Sequence, residues 1–342
     1  MSESNLPLVV VSHTLPETWL EPLEDRCQLL IGPETTEISG LAPELKDRLD
    51  QAEGLFTILT VPVNEDLLDQ APRLRVVSNM AVGVDNIDLE ACTRRGIPVG
   101  HTPGVLTEGT ADLTMALLLA VARKLPQASQ DARQGRWTTW EPAGWLGADL
   151  DGATLGIVGL GKIGTAVAQR AKGFGLRLVY TNPSPRPEVE ASLGAIRLSL
   201  DELLGQSDFV SLHVPLTPET RHIIDEQALQ LMKPTAILFN VARGPVVDSQ
   251  ALYQALQGGW IAAAGLDVTD PEPLPAEDPL YSLPNCLIVP HIGSATANTR
   301  RRMAELACQN LLVGLEGQRL PHCANPAVYD NLEGKNQQAG TP

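Results

Sequence analysis

Three ionisable residues follow apolar stretches in the second half of the chain. Arg243, Glu272 and His291 each stand at or shortly after the end of a stretch whose composition predicts a buried strand. In a parallel sheet the carboxyl ends of the strands share one edge, and ligands bind beyond that edge. The spacing therefore predicts that an arginine, a carboxylate and a histidine converge on one site.

These three residue types suit the reduction of a 2-oxo acid. A guanidinium can hold a carboxylate with two parallel hydrogen bonds and polarise the neighbouring carbonyl. An imidazole can give a proton to the alkoxide that forms, and a carboxylate bonded to it favours the charged, correctly oriented ring. Taken singly, Arg243 could be a surface charge, Glu272 a solvated loop acid and His291 a structural histidine. Their combination favours the catalytic interpretation.

A glycine-rich turn, GLGKIG at 159–164, follows the apolar stretch 154–158 and precedes a helical pattern. In that context Gly159 permits a tight turn, Gly161 lets a pyrophosphate approach the backbone, and Gly164 lets the helix pack closely on the strand. The helix N-terminus would present N–H groups to the phosphates. We predict dinucleotide binding by the residues of this turn, which are Gly159, Leu160, Gly161, Lys162, Ile163 and Gly164.

The segment after the next predicted strand bears on the choice of dinucleotide. An acidic residue normally binds the ribose 2′-hydroxyl of NAD about 20 residues past such a turn, whereas this chain has TNPSPR at 181–186. Asn182 and Ser184 can donate hydrogen bonds to a 2′-phosphate, and Arg186 can pair with it. We therefore predict NADP(H) as the preferred cofactor, with NAD(H) as the alternative.

The elements that position these residues alternate between short apolar strands and helical stretches, which is typical of parallel sheets covered on both faces. A first series of strands is predicted at 8–12, 28–31, 55–60, 74–79 and 98–100. A second series is predicted at 154–158, 176–180, 209–214, 236–241, 262–268 and 287–290. The predicted fold class is α/β, with two doubly wound parallel sheets.

The segments between and after the two series have distinct compositions. The stretch 111–124 predicts a buried helix, and 134–150, rich in glycine, proline and tryptophan, predicts an extended arm. Because the first series lacks a closing helix, the helix predicted at 299–314 should return to pack on the first sheet. Residues beyond about 327 are polar and are expected to fray.

The composition limits the classes of protein to which the chain could belong. Its 342 residues suggest two domains, and its longest apolar run, 115–122, is too short to span a membrane. A net charge of −16 disfavours nucleic acid and anionic membranes as partners. The five cysteines form no C-x-x-C pair, and the N-terminus lacks the pattern of a secretory signal. We predict a cytoplasmic protein without disulfides or metal.

The motifs resemble those of the D-isomer-specific 2-hydroxyacid dehydrogenases. The resemblance spans about residues 8–326. It rests on motifs in the order and spacing of that family, namely VGVDNID at 82–88, GLGKIG at 159–164, NVARG at 240–244, GLDV at 265–268 with Glu272-Pro273, and PHIG at 290–293. Within the family, 137–142 and 180–188 are most similar to glyoxylate/hydroxypyruvate reductases. The resemblance implies that glyoxylate or hydroxypyruvate is reduced to the D-2-hydroxy acid.

The resemblance also implies a domain organisation. A Rossmann cofactor domain at 105–295 would be inserted into a flavodoxin-like substrate-binding domain formed by 1–104 and 296–326. Residues 327–342 would be a C-terminal tail. The active site would lie in the cleft of such a molecule.

The same resemblance implies roles for individual residues. Arg243, Glu272 and His291 match the catalytic set, and the backbone N–H groups of Val82 and Gly83 would bind the substrate carboxylate. The positions that match cofactor contacts are Thr110, Val214, Thr220, Val241, Asp267 and Gly293, with Asp267 beside the nicotinamide.

Two further implications concern the partner subunit and the cofactor. Trp140 matches a tryptophan that reaches the partner's active site in similar reductases, which implies a homodimer built around 134–150. Simple packing at the interface would explain Trp140 equally well. Relatives that use NADP often carry an arginine directly after the second strand, where this chain has Asn182-Pro183.

Two other interpretations stay open. The chain could be a phosphite dehydrogenase or another D-2-hydroxyacid dehydrogenase. It could also be a nonenzymatic, NAD(H)-sensing protein like the corepressors similar to this family, although the intact catalytic set disfavours that role. The remaining histidines are predicted to be structural or on the surface, with His213 near the cofactor: His13, His101, His213, His222 and His322.

Overall fold

The computed structural model describes residues 6–34 and 40–330. Two predictions concern residues outside these ranges, at least in part. They are that the N-terminus lacks a secretory signal and that the C-terminal tail frays beyond about residue 327. The chain divides into two compact units. The first consists of Met1–Leu106 with Thr296–Pro342, and the second of Thr107–Ala295.

The described residues form strands of 2 to 5 residues and α-helices of 4 to 19 residues. The strands are β1 (Leu8–Val11), β2 (Gln28–Ile31), β3 (Gly54–Thr57), β4 (Val76–Asn79), β5 (Val99–Gly100), β6 (Thr154–Val158), β7 (Arg177–Thr181), β8 (Ile196–Arg197), β9 (Phe209–Leu212), β10 (Ile237–Asn240), β11 (Ala263–Leu266) and β12 (Cys286–Ile288). The helices are α1 (Pro43–Lys46), α2 (Glu65–Gln70), α3 (Leu89–Arg95), α4 (Thr107–Ala122), α5 (Leu125–Arg133), α6 (Lys162–Lys172), α7 (Pro187–Leu193), α8 (Leu200–Gln206), α9 (Glu226–Leu231), α10 (Ser249–Gly258) and α11 (Ala297–Leu315).

The first unit contains a five-stranded parallel sheet in the order β2-β1-β3-β4-β5. This is the order of flavodoxin-like sheets. Every residue of β1, β3 and β4 is buried, because helices cover both faces of the sheet. The helix α11 comes from the far end of the chain and packs on this sheet, as predicted. Ser78 Oγ on β4 donates to the Ala307 carbonyl of α11 at 2.7 Å.

The second unit contains a seven-stranded parallel sheet in the order β12-β11-β10-β9-β6-β7-β8. Helices α4 and α6 cover one face, and α8, α9 and α10 cover the other. The order reverses between β6 and β9, which creates the switch point where ligands of doubly wound sheets bind. The α/β class with two doubly wound sheets is therefore confirmed.

The second unit also contains elements that the hydrophobic pattern does not indicate. The pattern predicts six strands in the second sheet, whereas the described residues form seven. The additional strand, β8, has only two residues, both exposed, at the edge of the sheet. Helices α5 and α7 likewise have no fully buried residue, so the apolar signal that predicts the other helices of this unit is weak in both.

The predicted fraying after residue 327 is wrong for the residues that the structure describes there. Val328 is fully buried and Tyr329 is 8% exposed. The Leu320 N–H donates to the Tyr329 hydroxyl at 2.8 Å, and the Arg319 guanidinium lies 4.9 Å from the centre of the Tyr329 ring. These contacts hold the segment against the first unit. None of the helices in the described ranges is both long and apolar enough to cross a membrane.

Candidate active site

The three ionisable residues predicted at strand ends do lie at one edge of the second sheet. The strands β10, β11 and β12 are parallel neighbours, paired in register. Arg243 follows β10, Glu272 lies in the loop after β11, and His291 lies just after β12. The shared edge is the carboxyl edge of the sheet, where the glycine turn after β6 also lies.

His291 and Glu272 are in direct contact. The imidazole Nδ1 lies 2.6 Å from Glu272 Oε1, and the two side chains are 25% and 31% exposed. Because an ionised carboxylate can only accept, the hydrogen bond places a proton on Nδ1. The other carboxylate oxygen, Oε2, accepts a bond from the Thr269 N–H at 3.3 Å, which orients the acid within its loop. The pair can therefore hold a proton on a ring of fixed orientation.

Asp267 holds the backbone that carries the histidine. Its two carboxylate oxygens accept from the N–H groups of Ile292 at 2.6 Å and Gly293 at 2.9 Å, and its carbonyl accepts from His291 N–H. Asp267 is only 2% exposed. Burial raises the pKa of this carboxyl, and the two N–H donors oppose that shift.

His291 itself has φ of +50°, a left-handed conformation that is uncommon for a residue other than glycine. The hydrogen bonds that Asp267 accepts from His291, Ile292 and Gly293 stabilise this conformation. Backbone strain of this kind is found preferentially at functional sites.

Arg243 is held by the turn that follows β10. Its backbone is extended, its Nη1 donates to the Ala242 carbonyl at 2.9 Å, and Asn240 Nδ2 donates to the Arg243 carbonyl at 2.8 Å. The next residue must be glycine, because a Cβ on Gly244 would lie 1.8 Å from the Thr269 carbonyl oxygen. This close approach packs the arginine turn against the loop that carries Glu272.

The glycine turn after β6 fits a dinucleotide. Gly159 has φ of +96°, and a Cβ on Gly164 would lie 2.3 Å from the Gly159 carbonyl oxygen, so both glycines are needed for the turn and for packing. A Cβ on Gly161 would meet nothing within 4 Å. Gly161 caps the N-terminus of α6 without a side-chain hydrogen bond, which leaves the N–H groups of the first turn available to phosphate oxygens.

This difference between the glycines is testable. We expect Gly161→Ala to keep the free energy of unfolding within about 1 kcal/mol of the parent, since the position is open and has ordinary dihedral angles. The same change should weaken NADPH binding by about tenfold or more, because the methyl group occupies the space that a pyrophosphate needs. Gly164→Ala should instead lower the melting temperature. Titration of NADPH fluorescence and thermal unfolding of both variants check this, and equal NADPH affinity of Gly161→Ala and the parent would contradict it.

Several residues expected to contact the cofactor lie together at the same edge. A Cβ on Gly293 would lie 3.0 Å from Asp267 Oδ2 and 3.4 Å from Thr110 Oγ1, so these three residues form one cluster. Val241 is buried after β10, and Val214 lies against Gly159. The Thr220 hydroxyl donates to the Pro215 carbonyl at 2.6 Å and thereby shapes the turn after β9. Leu160 is 1% exposed and belongs to the core, Lys162 is exposed, and Ile163 packs against the core.

The loop predicted to meet the ribose is bound by a cation on a neighbouring strand, which the sequence does not predict. Asn182 Nδ2 donates to the Ser184 carbonyl at 3.0 Å, and Arg186 precedes α7 with its N–H bonded to the Tyr180 hydroxyl. Arg197, on the exposed edge strand β8, donates from Nε and Nη2 to the Asn182 carbonyl and from Nη2 to the Pro183 carbonyl. Its pairing with this loop depends on β8, which no sequence signal reveals.

The remaining predicted residues lie on other segments. Val82 and Gly83 are half-buried in the loop after β4, in the first unit. Trp140 is 79% exposed in the segment 134–153, which contains neither helix nor strand, and Trp137 on the same segment is 74% exposed. The structure of the single chain leaves these two indole rings largely uncovered.

His213, at the end of β9, behaves as a neutral histidine. Its Nε2 lies 2.8 Å from Ser211 Oγ, and its Nδ1 is buried with no hydrogen-bond partner among the described residues. Burial lowers the pKa of His213 to about 3. Its carbonyl packs against Gly159, beside the predicted pyrophosphate site, so the ring adds no charge there near neutral pH.

The lowered pKa of His213 has a consequence for stability. An unfolded histidine binds a proton below about pH 6.5, whereas the folded group stays neutral down to about pH 3. Between these values the unfolded chain binds the extra proton, so the free energy of unfolding falls as the pH falls, by up to about 1.4 kcal/mol per pH unit. Urea unfolding should show that the parent loses about 2 kcal/mol more than His213→Gln between about pH 7 and about pH 5. Identical losses in the two proteins would contradict this assignment.

The second unit also carries the sequence signature of a known family. A family model described as the NAD binding domain of D-isomer specific 2-hydroxyacid dehydrogenases matches residues 115–293, more than half of the chain. The matched region includes the glycine turn, Arg243, Glu272 and His291. The chain belongs to this family.

Relatives extend the match to nearly the whole chain. A glyoxylate reductase of Korarchaeum cryptofilum is 47% identical over 323 residues, which cover 94% of this chain and 97% of that protein. A solved protein of Thermus thermophilus is 49% identical, with a TM-score of 0.86 over 93% of this chain and 99% of that one. An NADPH-dependent glyoxylate/hydroxypyruvate reductase of Sinorhizobium meliloti, solved with NADP and malonate, is 33% identical, with a TM-score of 0.82 over 94% of this chain and 98% of that one.

Proposed function

We propose that this family member reduces a small 2-oxo acid, glyoxylate or hydroxypyruvate, to the D-2-hydroxy acid with NADPH. The observation that carries the proposal is the 2.6 Å contact between His291 Nδ1 and Glu272 Oε1 at the sheet edge that also holds Arg243. Glyoxylate reductases that share about half of its residues support the choice of substrate.

Arg243, Glu272 and His291 have different roles in the proposed reaction. The glycine turn would hold the pyrophosphate of the dinucleotide, and the reduced nicotinamide, when bound, would supply the hydride that C2 of the substrate accepts. The Arg243 guanidinium holds the substrate carboxylate and polarises the C2 carbonyl, which stabilises the negative charge that develops on its oxygen. His291 then gives the proton on Nε2 to that oxygen, while Glu272 retains the bond to Nδ1. In total one 2-oxo acid, one NADPH and one proton give one 2-hydroxy acid and one NADP⁺.

The first unit would supply further contacts to the substrate. In the proposal, the N–H groups of Val82 and Gly83 bind the substrate carboxylate, as the resemblance implies. Neither N–H donates to another group among the described residues, so both are available to an anion. Adjacent backbone N–H groups in a turn are a common site for carboxylates and phosphates.

The preference for NADPH over NADH rests on the charge of the loop after β7. Arg197 donates to two carbonyls of this loop, and Arg186 lies within it. The nearest acid along the loop, Glu188, lies in the first turn of α7, and Glu190 bonds the Tyr180 hydroxyl. Two guanidinium groups here favour a 2′-phosphate, and the related S. meliloti reductase is NADPH-dependent.

A homodimer and a cytoplasmic location complete the proposal. The exposed rings of Trp137, Trp140 and Trp145 lie on one short segment, and aromatic residues are enriched in protein interfaces. Sedimentation of the parent should show a dimer, and Trp140→Ala should weaken it; a monomeric parent would contradict this assignment.

All five cysteines are free thiols, which fits a reducing compartment.

The experiment that tests the proposed function is a matrix of two cofactors and three acids. Purified enzyme is mixed with NADPH or NADH and with glyoxylate, hydroxypyruvate or pyruvate, and oxidation is followed at the absorbance of the reduced nicotinamide. We expect the highest kcat/KM with NADPH and glyoxylate or hydroxypyruvate. Absence of oxidation with all three acids would overturn the proposal and favour a dinucleotide-sensing role, and a preference for pyruvate would identify another D-2-hydroxyacid dehydrogenase.

A further inference from the structure

The loop that carries Val82 and Gly83 is fastened to a second segment of the first unit. The Thr102 N–H donates to the Ala81 carbonyl at 2.8 Å. The imidazole Nδ1 of His101 lies 2.9 Å from the Val82 carbonyl oxygen. Because a carbonyl oxygen can only accept, Nδ1 carries the proton and donates it. Two successive peptide groups of the loop are thus held by two successive residues, His101 and Thr102.

These bonds determine where the loop's own N–H groups point. In a planar trans peptide, the carbonyl oxygen and the N–H of the following residue point in opposite directions. When Thr102 holds the Ala81 carbonyl, the Val82 N–H is turned to the other side. When His101 holds the Val82 carbonyl, the Gly83 N–H is turned likewise. The two N–H groups proposed to bind the substrate carboxylate are therefore aimed by residues 102 and 101.

A third bond secures the far end of the loop. Asn79 Nδ2 donates to the Gly83 carbonyl at 3.0 Å and to Asn86 Oδ1 at 3.1 Å. Asn86 Nδ2 in turn donates to the carbonyls of Ile58 and Val61. Asn79 is fully buried, so this end of the loop is fixed to the interior of the unit.

His101 is itself rigidly placed. The His101 N–H donates to the His322 carbonyl at 3.1 Å, and Asn310 Nδ2 on α11 donates to the His101 carbonyl at 2.9 Å. Beside it, Thr102 is fully buried, and its Oγ1 has no hydrogen-bond partner among the described residues. Because the main chain of His101 is hydrogen-bonded on both sides, its ring has a fixed position and can hold the Val82 carbonyl in place.

We propose that His101 is a positioning residue for substrate binding, which orients the Gly83 N–H toward the carboxylate of the 2-oxo acid through its bond to the Val82 carbonyl. This inference rests on the proposed function and assigns a role to a histidine that the sequence pattern places among structural or surface residues. His101 does not touch the reacting atoms in this role. Its loss should weaken binding of the acid and leave binding of the dinucleotide unchanged.

The test compares His101→Leu with His101→Asn. Leucine and asparagine have nearly the same shape, but only the asparagine amide can donate to the Val82 carbonyl. We expect His101→Leu to raise the KM for glyoxylate by about tenfold, the effect of one lost hydrogen bond. The Kd for NADPH and the kcat at saturating glyoxylate should stay within about threefold of the parent. His101→Asn should restore most of the affinity.

A second readout measures binding without turnover. Calorimetric titration of the enzyme–NADPH complex with oxalate, an unreactive dicarboxylate, should show the same loss in His101→Leu and the same recovery in His101→Asn. If His101→Leu fails to fold, His101→Met removes the same donor. The matched control is Gln70→Met, which removes a side-chain hydrogen bond to the Asp66 carbonyl elsewhere in the first unit and should leave both constants unchanged.

The outcomes separate this inference from the proposed function. Unchanged KM and oxalate affinity in His101→Leu would overturn the positioning role, and so would a parallel rise in the Kd for NADPH, which would indicate general damage. If the parent itself failed to oxidise NADPH with any of the three acids, the proposed function would fall instead.

Discussion

Replacement of His291 by alanine should lower the kcat for hydroxypyruvate by about 10²–10⁴-fold, the usual contribution of a positioned proton donor. The imidazole lies 2.6 Å from Glu272 and at the same sheet edge as Arg243, so the variant removes the proton donor and leaves the rest of the edge in place. The Kd for NADPH should stay within about threefold of the parent, since the glycine turn is untouched. Steady-state kinetics and NADPH fluorescence measure the two quantities.

The matched control for this variant is His222→Ala. His222 is another histidine of the second unit, exposed and with a similar positive φ of +52°, but it lies in the turn after β9 rather than beside Glu272. Its replacement should leave kcat within about twofold. If His291→Ala turned over at a rate near that of the parent, the assignment of the proton donor would be wrong.

The second large effect is expected for Arg243→Lys. Lysine keeps the positive charge but loses the planar fork that binds a carboxylate with two parallel bonds and faces the adjacent carbonyl. We expect kcat/KM for hydroxypyruvate to fall by about 10²-fold or more, with both kcat and KM affected, because the guanidinium acts on the bound acid and on the developing charge.

Arg177→Lys provides the control for charge-preserving replacement in the same unit. Arg177 is exposed at the start of β7, at the opposite end of the strand from the proposed site, and its replacement should change kcat/KM by less than about twofold. An Arg243→Lys variant with kcat/KM equal to that of the parent would show that no bidentate contact is needed at this position.

The parts of the fold that follow from hydrophobic burial could be predicted from the sequence. The central strands of the two sheets, such as β1 and β10, are mainly apolar because both faces are covered by helices, and such runs are visible without coordinates. Arg243, Glu272 and His291 could be predicted as a group, since each is a charged or titratable residue after such a run. The sheet then brings them to one edge by its parallel order alone.

The parts that depend on individual hydrogen bonds could not be predicted in the same way. Arg197 binds the loop after β7 from an exposed strand of two residues, which has no hydrophobic signature. The role of Asp267 in holding the backbone of Ile292 and Gly293 requires a contact across 25 residues of sequence. His101 looks like any surface histidine until the Val82 carbonyl is found beside its ring.

The C-terminal segment shows how a local composition can mislead. The residues after 327 are mostly polar, which predicts fraying, yet Val328 and Tyr329 are buried against the first unit. Burial there depends on a partner elsewhere in the chain, the backbone N–H of Leu320, which binds the tyrosine hydroxyl. A short apolar pair within a polar tail carries no periodicity from which such docking could be inferred.

The proposed D-specific reduction is tested most directly by identifying the product that the parent enzyme forms from hydroxypyruvate and NADPH. Chiral chromatography of the reaction mixture, set against the absorbance lost on oxidation of the nicotinamide, gives both the configuration and the stoichiometry. We predict one molecule of D-glycerate for each NADPH consumed. Formation of L-glycerate, or NADPH consumption without glycerate, would contradict the assignment of these residues to a D-specific reduction.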